Sequence, residues 1–263
     1  MGAFYFIIFS DTWGSYIIQL NLYLCNPVSR NKFFGLLMKI TYYGHSCFEV
    51  EISGKKLLFD PFISPNEKAN HIDIGAIKPD YILLSHGHQD HVADVEVIYK
   101  QSESKIISTF EVVSWFEAHG LESIHPMNHG GEWAFDFGTV KMVNAVHSSV
   151  MPDGSYGGNP AGFVITGEDK SFYYAGDTAL HLDMKLIAED YTLDFAFLPI
   201  GSNFTMGLKD AIKAANFVGT NKIIGMHYDT FPFIEIDHEH ARSLFKEANK
   251  ELNLMTIGEN INI

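Results

Sequence analysis

The chain has 263 residues, 46% of them hydrophobic and 14% aromatic, with a formal net charge of −14. That much apolar material can bury a substantial core, and it suits one larger domain better than two small ones. So acidic a chain repels polyanions, which argues against a broad nucleic-acid interface, although a bound metal can still draw in a small anion.

Residues 1–37 differ from the rest. The stretch MGAFYFIIFSDTWGSYIIQLNLYLC is apolar but interrupted by Asp11, Gly14, Gln19 and Asn21. No run reaches the roughly 20 apolar residues of a membrane helix, and no basic segment precedes it as in a signal peptide. Met38 opens MKITYYGHS, which reads as the natural start of a first strand. Residues 1–37 are therefore expected to be a start-site artefact or a poorly ordered extension of a domain over 38–263. The two thiols, Cys25 and Cys47, form no CxxC pair, fit a reducing cytoplasm, and leave Cys47 reading as a small buried residue.

From Met38 onward, KITYYG, SCFEVEI and KKLLFD predict an antiparallel meander of short strands. DYILLS is a continuous apolar run, as in a strand covered on both faces. VADVEVIYKQSES has near-helical spacing, KIIST returns to strand, and FEVVSWFEAHG predicts a helix closed by Gly120. Further strands are predicted in GTVKMVNAV, AGFVITG, SFYYAG, LDFAFLPIG and NKIIGMH. Helices are predicted in HLDMKLIAED, LKDAIKAANFVG and HEHARSLFKEANK. Strands first, then strands alternating with helices, imply two packed sheets with helices outside: an α/β sandwich in one domain.

The chemistry concentrates where the apolar strand of DYILLSHGHQDHVAD ends. His86 and His88 are two apart, so in extended backbone they point to the same side. Asp90 and His91 follow where the chain turns toward a helix. Two nitrogens can serve one metal ion, leaving a carboxylate and a third nitrogen for a neighbour. Mixed nitrogen and oxygen donors suit zinc first, then manganese or iron. His147, Asp177 and His227 each follow an apolar strand pattern and complete a candidate set at strand ends.

These motifs, HxHxDH followed by an isolated His, Gly-Asp-Thr and a final His, resemble the metallo-β-lactamase superfamily. YYGHSCFEVE, VHSS, GGNPAGFVI, YYAGDT, LPIGSNFTMGLKDA and MHYDTFP resemble its metal-dependent hydrolase branch, related to the ascorbate-6-phosphate lactonases. The resemblance runs from about Met38 to Ile263, with Gln89 a small departure. It implies a four-layer αββα sandwich and two divalent ions, most simply zinc. It further implies that His86, His88 and His147 hold one ion, Asp90, His91 and His227 the other, and that Asp177 bridges them. Such a site activates a water as hydroxide for attack on a carbonyl or phosphorus, with Asp90 both ligating and orienting that water.

Other roles stay open. His45 faces substrate, supports a ligand or is structural; Asp60 and Asp94 either hold ligand imidazoles or serve local turns. SYGGNPAG and GSNFTMG can shape a pocket but lack the pattern of a nucleotide loop. His238 and His240 read as solvated on an exposed helix. The expected substrate is a small lactone, cyclic amide or phosphate-bearing ester. RNA phosphodiester hydrolysis, di-iron redox chemistry and non-catalytic metal binding are the alternatives. Neither nucleic acid nor membrane is expected as a partner, and homo-oligomerisation stays open.

Overall fold

The structure, a computed structural model, describes residues 38–168 and 170–263 together with two strands near the N-terminus. Those strands, β1 (Ile7–Asp11) and β2 (Gly14–Ile18), pair antiparallel within a unit of their own, Met1–Leu36. The expectation of a poorly ordered extension otherwise falls on residues outside those described. Among the described residues no helix is long and apolar enough to cross a membrane.

The second unit starts with the predicted meander: β3 (Lys39–Gly44), β4 (Cys47–Ile52) and β5 (Lys55–Phe59). After it come β6 (Tyr81–Leu83), α1 (Gln89–Val92), α2 (Val95–Ser102), β7 (Lys105–Thr109), α3 (Phe110–Ala118) and β8 (Ile124–Met127). The helix expected over VADVEVIYKQSES is α2, and α1 is a separate short turn that shares only Val92 with that run. Asp94 between them leaves helical backbone at ψ 6. Gly120, at φ 88, terminates α3 where the sequence places it.

The second sheet is laid down by β9 (Glu132–Phe135), β10 (Gly138–Asn144), β11 (Ala161–Thr166), β12 (Ser171–Tyr174), β13 (Phe195–Pro199) and β14 (Lys222–Met226). Helices α4 (Met184–Asp190), α5 (Leu208–Phe217) and α6 (His238–Glu247) intervene or follow, and β15 (Glu251–Asn253) and β16 (Asn260–Asn262) close the chain. The strand orders are β16-β3-β4-β5-β6-β7-β8 and β15-β14-β13-β12-β11-β10-β9. Within this second unit the four strands not predicted, β8, β9, β15 and β16, are the four sheet edges. Edge strands are short and half-covered, so they carry no clean apolar alternation.

Period-two alternation divides the core. In β5, Leu57 and Phe59 join the core between the sheets while Leu58 packs outward beneath the helices; β6 and β7 split likewise. Val95 and Ile98 of α2 and Val112, Val113 and Phe116 of α3 cover the outer face of the first sheet. Helices α5 and α6 cover the second, against β13 and β15. The result is the four-layer αββα sandwich.

Topology decides where function can sit. Strand β3 runs parallel to β5 because both are antiparallel to β4, and β6 is parallel to β5. By the same reasoning β10, β12 and β14 share a direction in the other sheet. The C-terminal ends of all six strands lie on one rim. The two sheets are tied there by hydrogen bonds from His227 N to His45 O (3.0 Å), Ala161 N to Ser85 O (2.9 Å) and Tyr174 Oη to Ser46 O (2.8 Å).

Phe59 sits fully buried between the sheets, stacked on Tyr174 at 4.5 Å and against Phe163, Phe172 and Phe197. Phe59→Ala is expected to cost about 3–5 kcal/mol, read as a lowered denaturant midpoint at fixed metal concentration.

Candidate metal centre

Each candidate ligand leaves the sheet rim by a different loop. His86 and His88 follow β6; His88 is the residue before α1 and its side chain makes no capping bond, which leaves it free to reach inward. Asp90 and His91 lie in α1, held in register by His91 N–H donating to His88 O at 2.9 Å. His147 follows β10, Asp177 follows β12 and His227 follows β14. Gly176 lets the chain turn before Asp177: its φ is 61, and a Cβ there would lie 2.7 Å from Ser85 Cβ and 2.8 Å from Ala161 O. His45, Asp60 and His227 take left-handed backbone as well, at φ 55, 42 and 55. Such conformations are uncommon away from glycine and cost on the order of 1–3 kcal/mol each.

These loops converge. His86, His88 and His147 present ligand atoms within 4.8 Å of one another, as do His86, His91 and Asp177, and also His45, Asp90, His91 and His227. The Asp177 Oδ2 atom lies 2.9 Å from His227 Nε2, 3.4 Å from His91 Nε2 and 3.6 Å from His147 Nε2. His86 Nε2 and His88 Nδ1 approach to 2.9 Å. Thus the seven residues singled out from the sequence come together, and His45 joins them.

Asp60 organises the donors. Its carboxylate, fully buried, accepts hydrogen bonds from Ser85 N (2.7 Å), Ser85 Oγ (2.6 Å) and His91 Nδ1 (2.9 Å), with Tyr174 Oη at 2.8 Å. Because the Ser85 hydroxyl donates to Asp60, it must accept from His86 Nδ1 at 2.9 Å. Both ring orientations follow: His86 and His91 donate from Nδ1, and their Nε2 atoms face the cluster. Sequence reasoning missed Ser85 and Tyr174, whose contributions exist only through contacts across strands. Asp94 is elsewhere. Its Oδ2 accepts Ile63 N and Ser64 N at 2.5 and 2.9 Å, so it holds the loop after β5 and touches no ligand imidazole.

His45 Nε2 donates to Asp90 Oδ2 at 3.2 Å and its Nδ1 pairs with Thr230 Oγ1 at 2.9 Å. Burial, assisted by the neighbouring His227, depresses His45 to about 4. The His45–Asp90 contact is thus a neutral imidazole N–H on a carboxylate. Burial also depresses His86, His88 and His147. For His91 burial is outweighed by the carboxylates of Asp177, Asp90 and Asp60, which hold it well above the usual imidazole range. For Asp177 burial is likewise outweighed, by His227 and His91, leaving it well below the carboxylate range. For Asp90 it is outweighed by His91 and His45, with the same result.

A family model for a β-lactamase superfamily domain matches residues 39–227. UPF0173 metal-dependent hydrolases from Flavobacterium johnsoniae and Christiangramia forsetii are each 55% identical, over 226 and 227 residues, which is 86% of this chain and all of theirs. The solved structure of Igni18, a metallo hydrolase from Ignicoccus hospitalis, superposes with a TM-score of 0.78 at 30% identity. It covers 86% of this chain and 98% of its own. The chain belongs to the metallo-β-lactamase superfamily. It is one of the metal-dependent hydrolases of that superfamily.

The residues at the rim fit a metallo-β-lactamase cation site on their own chemistry. His91 Nε2 and Asp177 Oδ1 are buried without any hydrogen-bond partner, a cost that a coordinated cation removes. His86, His88 and His147 held neutral and Asp90 and Asp177 held ionised are in the protonation states that ligation requires, and the charge on His91 is a proton that a bound cation would displace. Asp60→Asn is expected to lower metal affinity about 10–100-fold by releasing His91 and Ser85, measured by competition with a chromophoric chelator.

These protonation states also set how the metal-free hydrolase responds to pH. His91, raised above its ordinary value, adds stability that is complete below that value and lost as pH climbs through the elevated one. Asp90 and Asp177, depressed, add stability present above the ordinary carboxylate range and lost only in acid. Stripped protein should therefore lose stability as pH rises beyond the ordinary imidazole range, and metal should abolish most of that loss. A series of denaturant midpoints across rising pH, with and without metal, measures it.

Proposed function

We propose that the chain hydrolyses a small molecule at a pair of divalent ions, most simply zinc, with manganese or iron able to substitute. His86, His88 and His147 would hold one ion, Asp90, His91 and His227 the other, and Asp177 would serve both. One observation carries this reading: a single oxygen, Asp177 Oδ2, stands 3.6 Å from a donor of the first set and 2.9 and 3.4 Å from two donors of the second.

Bound divalent ions supply a nucleophile from water at neutral pH and polarise the group under attack. The chain's own residues fix where that happens. Asp177, 2% exposed at its side chain, is sealed beneath the donors, whereas the Asp90 side chain is 28% exposed. Asp90 is therefore the carboxylate that reaches both the ions and the open side, and we assign it the orienting of the attacking water. His45, by donating to Asp90 Oδ2, fixes the plane of that carboxylate. Thr230 in turn fixes the ring of His45.

The chain's acidity and its lack of a basic arm favour a compact neutral or singly anionic substrate over RNA. A lactone, a cyclic amide or a phosphate-bearing ester fits, in a cytoplasmic setting. The test is elemental analysis alongside a screen of those substrates with zinc- and manganese-loaded protein. About two ions per chain are expected, and Asp177→Ala should lose metal together with a hundredfold or more of turnover, on the order of the loss of a key electrostatic group. Unchanged turnover in that variant would overturn the shared role of Asp177.

A further inference from the structure

We infer that the substrate is a neutral molecule with an apolar tail, which lies against two apolar walls raised beside the metal donors. This substrate class rests on the hydrolytic reading and narrows it. The walls are built from the two glycine-containing loops of the sequence, SYGGNPAG and GSNFTMG, with the turns next to them.

The segments at the strand rim that carry or flank the donors are residues 45–46, 60–66, 84–94, 145–160, 175–183, 200–207 and 227–237. Not one of them contains a Lys or Arg. They hold six of the ten large hydrophobic side chains exposed among the described residues: Val146, Val150, Tyr156, Leu182, Phe204 and Phe233. A carboxylate or phosphoryl group carried away from the ions would therefore meet no guanidinium or ammonium on these segments. Lys68, Lys185 and Lys209, in the helical turns beyond, are exposed; the first donates to Asp229 O and the second lies over the Phe217 ring. Two rim carboxylates outside the cluster are engaged locally. Asp153 accepts Trp115 Nε1 at 2.9 Å, and Asp229 holds His238 Nε2 at 2.6 Å, so His238 is paired and not merely solvated. A polar floor with apolar sides is the usual make-up of a small-molecule site.

One wall is tied to the turn between His86 and His88. Gly87 N donates to Ser149 Oγ at 3.1 Å, and the next residue, Val150, bridges Tyr156 across the bend that follows. The other wall is tied to Asp177 and His227. Met206 N donates to Thr178 O at 3.1 Å, and Gly201 lies so close to His227 O that a Cβ there would overlap it. Between these two pins Ser202 and Asn203 take left-handed backbone, at φ 63 and 57, which is uncommon outside glycine. Ser202 N closes the turn on Met206 O at 3.0 Å, and Phe204 projects from it, 52% exposed. Its ring meets that of Phe233, 75% exposed, edge to face at 6.4 Å. An exposed aromatic pair on strained backbone adds nothing to the core; beside Asp177 and His227 it is placed to receive a substrate tail.

Calorimetry on the metal-loaded full chain tests this with hydroxamates, which chelate divalent ions and need no turnover. Octanohydroxamate should bind about tenfold or more tighter than acetohydroxamate, the worth of about two buried methylene groups. Suberic monohydroxamate, equally long but ending in a carboxylate, should lose that gain. Phe204→Ser combined with Phe233→Ser should take back most of it at constant metal content. Leu186→Ser, at an exposed residue of α4 outside these segments, should keep it. A gain absent from the unaltered chain, retained by the double variant or matched by the carboxylate-ended probe overturns the proposal, while normal metal uptake leaves the hydrolytic reading standing. A gain retained while the double variant changes oligomeric state assigns the aromatic pair to contact between copies, and overturns it too. Protein that takes up no metal overturns both readings.

Discussion

A carboxylate with no access to solvent must be fully paired, or its burial would cost several kcal/mol. Asp60 meets that condition by collecting Ser85 and His91 from the loop after β6 and Tyr174 from the opposite sheet. One charge thereby locks two sheets together and sets the ring orientation of two imidazoles. The donors are consequently fixed before any cation arrives, which is the preorganisation a binding site of this kind needs. The cost is visible in the backbone: Asp60, His45 and His227 all sit at positive φ, and only the surrounding hydrogen bonds keep them there.

The donors come from strand ends separated by more than a hundred residues in sequence, and this is what makes the arrangement stiff. Each loop is anchored by a buried strand, and the strands share one direction, so a single rim receives all the side chains. Loops can then vary in length without moving the donors, while residues beyond the rim shape access.

Much of this was readable in the sequence, for identifiable reasons. Interior strands such as KKLLF and FAFLP are apolar on both faces and announce themselves; EWAF and NIN, at the sheet edges, do not. The cluster from His86 to His91 is local and therefore conspicuous, and His147, Asp177 and His227 could be picked out because each closes an apolar run. Ser85, Tyr174 and Thr230 gave no such sign, since a hydroxyl acquires its role only when another segment meets it. Asp94 shows the converse. A carboxylate four residues past Asp90 looks placed to support an imidazole, but nearby backbone amides at Ile63 and Ser64 claim it first.

Strand β16 pairs with β3 on the far side from β4, and it lies C-terminal to every donor in the chain. Until those residues leave the ribosome, β3 is an uncovered edge, and the turn that bears His45 hangs from it. The nascent chain thus carries every imidazole of the cluster before the first sheet gains its seventh strand.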